Sequence, residues 1–247
     1  MYKIIPIDDN SWAFEDVMPD GDTVRFFLLS GSEKAAVVDS GYLDIDVKKL
    51  AENVLSENNK LLKNNGEVKD ILLLNTHGDF DHTGGNASFE SFYMTEKDYE
   101  VNNIKDRCPD SKLMPINDGE RIDLGERELL VIYVPGHTYG NVAYLDVTNK
   151  ILFPGDIIQT NNMFMFGSHR CPEKLLSSLT KLSKMKDSFV KVYACHGQMV
   201  LESSAVDEVM NSWKLRLEGS IKPERIEVFG QPVDAYHMPF CTFLCEP

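Results

Sequence analysis

Positive charge is what this sequence has least of. Its 247 residues carry 25 Lys and Arg against 39 Asp and Glu, a formal charge of −14. A field of that sign repels phosphate backbones and anionic lipid, so neither nucleic acid nor membrane is expected as a partner. No apolar run approaches the roughly 20 residues that a membrane span needs. Residues 1–10 hold one lysine, two aspartates and no sustained apolar stretch. No signal peptide is therefore expected, and the expected location is cytoplasmic. Cysteine is sparse as well: Cys108, Cys171, Cys195, Cys241 and Cys245 form an odd set without zinc-finger spacing. A disulfide scaffold is excluded, and reduced thiols are expected. Repeats, low-complexity tracts and linkers rich in Pro, Gly or Ser are lacking too. One domain over 1–247 is the expectation, with 221–247 a β-like C-terminal extension.

What is present is ordinary globular material, 43% hydrophobic and 26% charged, which excludes disorder. Thr23–Leu29 and Lys34–Val38 read as strands across a Ser-Gly-Ser turn. Apolar residues at helical spacing predict a helix from Asp44 to about Leu62. Asp70–Leu74 is a short continuous apolar run that suits a buried strand. Glu96–Asn103 reads as a short helix. Arg127–Val134, Val142–Asp146, Ile151–Phe153 and Val190–Ala194 read as strands, and Pro172–Met185 and Ala205–Leu217 as helices. Strands in a run, then interleaved with helices, predict stacked sheets with helices outside.

Four of the six histidines fall at one kind of position. His77 and His82 lie in Thr76-His77-Gly78-Asp79-Phe80-Asp81-His82, just past the apolar run ending at Leu74. His137 follows Val134-Pro135-Gly136, His196 follows Ala194-Cys195, and Asp156 follows Phe153-Pro154-Gly155. Each is a metal-capable side chain at the end of an expected strand, where loops can converge on one rim. Residues two apart in extended chain point the same way, so His77 and Asp79 can face one ion. Asp81 and His82 open a helix and turn toward a second. Imidazole and carboxylate suit zinc, iron or manganese. Cys195, adjacent to His196 on a strand, is expected to face the core. His169 and His237 are expected to be hydrogen-bonding surface residues.

Thr-His-x-x-x-Asp-His, then Gly-His-Thr, Gly-Asp and Cys-His-Gly, running from about Thr23 to Gly197, resembles the metallo-β-lactamase superfamily. The resemblance implies an α+β fold, a four-layer αββα sandwich with a dinuclear metal site at one rim. By position it implies that His77, Asp79 and His137 hold one divalent ion and Asp81, His82 and His196 the other. Asp156 would bridge them opposite a bridging hydroxide, the implied nucleophile, which Asp81 could orient as a catalytic residue. Zinc is the first expectation for both ions, with iron or manganese as alternatives.

One position departs from the family pattern, which usually has histidine where this chain has Asp79. A shorter side chain is expected to need an inward shift of its loop. Asp79, Asp81 and Asp156 supply −3 against +4 from two divalent ions, leaving +1 where two carboxylates leave +2. A less positive site favours harder ions and tolerates a ferric state better. The flavodiiron branch has a glutamate there, so a diiron oxidoreductase is the alternative, opposed by the lack of a second domain for flavin. A non-catalytic metal-binding sensor is the third reading. The first is a hydrolase of a small ester, thioester or lactone-type substrate. Gly167–Arg170 resembles the loop of thioesterase-like members in which a basic residue contacts an anionic substrate, which makes Arg170 the substrate-binding expectation. Met163-Phe164-Met165-Phe166 suits either a pocket wall or core packing.

Overall fold

The computed structural model describes residues 2–19 and 21–247. Strands and helices are numbered in chain order. The first sheet takes its seven strands in sequence order: β1 (Lys3–Asp8), β2 (Ser11–Val17), β3 (Thr23–Ser30), β4 (Lys34–Val38), β5 (Asp70–Leu74), β6 (Ser91–Met94) and β7 (Lys112–Pro115). The first four pair antiparallel, the last four parallel. A six-stranded sheet uses β8 (Arg121–Asp123), β9 (Glu128–Tyr133), β10 (Val142–Asp146), β11 (Ile151–Phe153), β13 (Lys191–Tyr193) and β14 (Val200–Glu202), in the order β14-β13-β11-β10-β9-β8. A smaller sheet joins β12 (Asn162–Met165) to β17 (Thr242–Cys245), β16 (Gln231–His237) and β15 (Glu224–Val228).

Three apolar clusters fix the layers. Phe27, Leu29, Val38 and Leu74 of the first sheet pack on Val131, Val142, Tyr144 and Phe153 of the second. On the outer face of the first sheet, Phe14, Phe26, Val37 and Leu73 meet Val47, Ala51, Val54 and Leu55 of α1 (Val47–Glu57). On the outer face of the second, Ile132, Ala143, Leu152 and Val192 meet α5 (Pro172–Lys184) and α6 (Ala205–Leu217). The order is helix, sheet, sheet, helix, and β3, β4, β10 and β11 are buried at nearly every position because both faces of each sheet are covered. No helix among the described residues is long and apolar enough to cross a membrane.

Several elements differ from the sequence reading for local reasons. The β1–β2 hairpin was not expected; β1 carries Pro6 and charged residues because it is an edge strand. Helix α1 starts at Val47, where the Asp46 carboxylate accepts the Lys49 amide at 2.8 Å. It stops at Glu57 rather than near Leu62, because Asn59 turns left-handed at φ 55°. Glu96–Asn103 breaks into α3 (Glu96–Tyr99) and a 3-10 turn, followed by α4 (Ile104–Arg107); Asn103 is again left-handed. Residues 221–247 hold β15, β16 and β17, and β17 lies parallel beside β12 and buries Phe243 and Cys245 with the second sheet's helical layer.

Strand direction places the functional loops. β4 and β5 run parallel, as do β11 and β13, and β9 runs the same way as β11 through the antiparallel β10. Their carboxyl ends therefore meet at one rim. Val142 N–H to Thr76 O (2.8 Å) and Tyr144 O–H to Asn75 O (2.9 Å) tie the two sheets together there.

Candidate metal centre

The centre is built from second partners inward. Asp39, just past β4, accepts the Thr76 amide at 2.7 Å, the Thr76 hydroxyl at 2.8 Å and His82 Nδ1–H at 2.8 Å. Because the Thr76 hydroxyl donates to Asp39, it accepts from His77 Nδ1–H at 2.9 Å. His196 Nδ1–H donates to Thr23 O at 2.9 Å. Three imidazoles are thus held by Nδ1, so each turns the lone pair of Nε2 inward. Gly155, at φ 59°, lets the Asp156 loop pass close to Thr76; a Cβ there would meet the Thr76 hydroxyl oxygen at 2.8 Å.

Two clusters result. Metal-capable atoms of His77, Asp79 and His137 lie within 4.8 Å of one another, as do those of Asp81, His82 and His196. Asp79 Oδ2 is 3.5 Å from His77 Nε2 and 3.0 Å from His137 Nε2. The short carboxylate reaches its cluster. Asp81, in α2 (Phe80–Thr83), has Oδ2 3.3 Å from His196 Nε2 and 3.7 Å from His82 Nε2. Asp156 spans the pair: Oδ1 is 3.1 Å from His82 Nε2 and 3.5 Å from His196 Nε2, and Oδ2 is 3.6 Å from His137 Nε2.

Among the described residues, the buried His77 Nε2 lacks a hydrogen-bond partner. His82 Nε2 and His196 Nε2 face each other at 3.4 Å, which two lone pairs cannot do comfortably without a cation or proton between them. This is a donor set that fits divalent ions of the zinc, iron or manganese kind. The charges agree. Burial alone would lower the proton affinity of His196, but Asp156 and Asp81 override it and push its pKa to about 9. His82 goes well above its usual value against the same burial, drawn by Asp156, Asp39 and Asp81. The carboxylates demand positive charge at both rings.

The first cluster already has some. Arg170 Nη2 lies 2.7 Å from Asp79 Oδ2, and Nη1 lies 3.2 Å from His137 Nε2. Burial would raise the Asp79 carboxyl, yet the guanidinium, His137 and His77 hold it well below the usual carboxylate range. Burial and the same guanidinium push His137 down to about 4. Arg170 also lines a pocket of about 270 Å³ whose floor is Asp79, Asp81, His137, Asp156 and His196. Phe80, Phe164, Phe166 and Phe229 form its apolar wall. Along β12, Met163 and Met165 go to the core while Phe164 faces the pocket, so this segment serves both uses at once.

All seven metal-capable positions singled out in the sequence come together here, and Cys195 is buried in the inter-sheet core. His237 is an exposed partner of Glu224 and Thr242, whereas His169 lines the pocket. Sequence reasoning missed Asp39 and Asp98. Asp98 accepts from Gly78 N–H, Thr138 O–H and Gly140 N–H, clamping the His77 and His137 loops together. Asp39 was signalled by its place at the end of an apolar strand, like the ligand-type residues; Asp98 had no such signal.

Similarity to known proteins agrees with this geometry. Among solved structures, the metallo-beta-lactamase from Pontibacter korlensis superposes with a TM-score of 0.71 at 16% identity, covering 87% of this chain and 99% of that one. The DIM-1 metallo-beta-lactamase gives 0.69 at 17%, covering 87% and 97%. At that identity the likeness is one of fold. The acyl-coenzyme A thioesterase MBLAC2 of Bos taurus is 26% identical over 182 residues, 62% of this chain and 64% of that protein. A hydroxyacylglutathione hydrolase of Trichormus variabilis is 30% identical over 176 residues, 69% of this chain and 63% of that protein. The matches thus span less than two thirds of these relatives' length. The sequence model of the metallo-beta-lactamase superfamily matches residues 19–196, well over half the chain, so the protein belongs to that superfamily.

Proposed function

We propose that this protein is a metal-dependent hydrolase of small thioesters whose acyl group is apolar, acting in the cytoplasm. The observation that carries the reading is Asp156, with one carboxylate oxygen toward each of two histidine–aspartate clusters at the floor of an aromatic pocket. The relatives named as acyl-CoA thioesterase and hydroxyacylglutathione hydrolase support the thioester class. Two divalent cations in such a setting supply electrophilic polarisation of a carbonyl and a lowered pKa for water. His77, Asp79 and His137 would hold one and Asp81, His82 and His196 the other, with Asp156 common to both. Asp81 faces the pocket and would orient the attacking water. Phe164, Phe166 and Phe229 would seat the acyl group and exclude bulk water from the carbonyl. The water oxygen adds to the carbonyl carbon and the C–S bond breaks. One water proton ends on the departing sulfur and the other leaves with the carboxylic acid.

A diiron redox centre was the alternative reading of the sequence, resting on the flavodiiron glutamate at the position of Asp79 and on the extra negative charge that Asp79 brings. Arg170 at 2.7 Å offsets that charge, so the second of these grounds loses its weight. The test is thiol release by metal-loaded protein from acetyl, phenylacetyl and medium-chain acyl-CoA and from an acylglutathione. A β-lactam and an oxygen ester serve as controls. Release that needs added metal and favours the larger apolar acyl groups is expected. No turnover of any thioester by protein that does take up metal would overturn the reading in favour of a binding or sensing role.

A further inference from the structure

The two clusters differ in one respect that the ligand count hides. At the first, both atoms touched by the Arg170 guanidinium, Asp79 Oδ2 and His137 Nε2, are atoms that a cation there would need. At the second, no Lys or Arg among the described residues hydrogen-bonds to Asp81, His82 or His196. Arg170 is not a surface side chain folded onto an acid by chance. It is only 14% exposed, and its Nη1 also donates to His137 O at 3.4 Å. Its loop is fixed by Cys171 N–H to Gly136 O and Tyr139 N–H to His169 O. Asp79 and Arg170 together carry no net charge, which is what the single imidazole usual at this position carries.

We propose that Arg170 is a built-in counter-ion that competes with a cation for the His77/Asp79/His137 centre, so that this centre fills second and more weakly than the one at Asp81, His82 and His196. The carboxylate that replaces histidine does not make the first centre more attractive to metal, because its charge is spent on the guanidinium. Emptying the pair of its arginine frees a carboxylate oxygen and an imidazole nitrogen at once. Arg170 is thus a positioning residue for the centre, acting through Asp79 and His137.

The proposal rests on the reading that the clusters hold metal, and the test separates the two. The 247-residue chain, stripped with a chelator, is titrated with Zn²⁺ in a competing-chelator assay. In parallel, the ring ¹⁵N resonances of His77, His82, His137 and His196 are followed by NMR. In the unaltered protein His82 and His196 should move with the first equivalent. His77 and His137 should follow with a second, at least about tenfold weaker. Arg170→Ala should tighten the second event at least about tenfold, bringing the two affinities together, and Arg170→Lys should fall between. Arg170→Gln, close in length and neutral, serves if the alanine variant folds poorly, and should behave like it. A second event that is unchanged or weakened in the neutral variants, or His77 and His137 moving first in the unaltered protein, would overturn the proposal. No uptake of Zn²⁺ by the unaltered protein would overturn the metal reading beneath it.

Discussion

Asp39 Oδ2 lies 2.8 Å from His82 Nδ1, across 43 residues of chain, and the same oxygen accepts the Thr76 hydroxyl that orients His77. One carboxylate outside the clusters therefore aims a ring of each. Asp39 is itself left-handed at φ 63°, a conformation that asparagine tolerates and alanine does not. Asp39→Asn should weaken metal binding roughly 10-fold, and Asp39→Ala roughly 100-fold with a further loss of about 1 kcal/mol in folding stability. Chelator competition and urea unfolding of each variant check this.

Asp156 turns one carboxylate oxygen toward each cluster. Asp156→Asn removes a unit charge from beside each cation and turns an amide donor toward an imidazole. At an effective dielectric near 20 that interaction is worth several kcal/mol at about 4 Å, so both affinities should fall about 100-fold or more. The fold should survive, because the packed layers lie elsewhere. Elemental analysis with circular dichroism on the variant measures both; full metal content would contradict the proposed bridging role of Asp156.

Phe229 is 74% exposed, sits left-handed at φ 52° and stacks on Phe164 with ring centroids 6.0 Å apart. It belongs to the C-terminal hairpin, outside the span matched by the family profile. Phe229→Ala should raise KM for a phenylacetyl or medium-chain thioester about 10-fold, the cost of roughly 1.5 kcal/mol of apolar contact, and leave an acetyl thioester unchanged. Steady-state kinetics on the matched substrates is the check.

A buried ion pair lies at the opposite end of the sandwich. Arg127 is buried, with Nε and Nη2 on Asp146 Oδ2 at 2.9 and 2.7 Å, and reaches Ser11 Oγ, Asn10 O and Ser30 O across the sheet interface. Arg127→Leu leaves Asp146 buried without its ion partner and should cost about 3–5 kcal/mol. Arg127→Leu with Asp146→Leu should recover part of that, as chemical unfolding of the two variants would show.

The metal-capable residues were legible because each is marked twice, by residue type and by its place after an apolar strand. His77 and Asp79, two apart, and Asp81 and His82, opening a helix, divide between the clusters as local geometry alone implies. The pairing of Asp79 with Arg170 was not legible. It joins residues 91 apart through a loop conformation, so a charge count of +1 for the loaded site omitted a cation at 2.7 Å. With Arg170 included the formal sum is +2, the value that two carboxylates alone leave. Edge strand β1 was hidden by the proline and charges that make it a safe edge. The role of Phe229 was hidden because an aromatic beside Gly230 signals only a turn until β15 and β16 are seen to aim it at the pocket.

The proposed centre puts one cation among His77, Asp79 and His137 and another among Asp81, His82 and His196, with Asp156 common to both. Anomalous diffraction from crystals of the protein grown with excess Zn²⁺ tests it most directly. Two peaks are expected, one among His77, Asp79 and His137 and one among Asp81, His82 and His196, each within bonding distance of an Asp156 oxygen. The peak beside Arg170 should be the less occupied. Peaks lying only elsewhere, such as among Asp39, His82 and Cys195, would contradict the account.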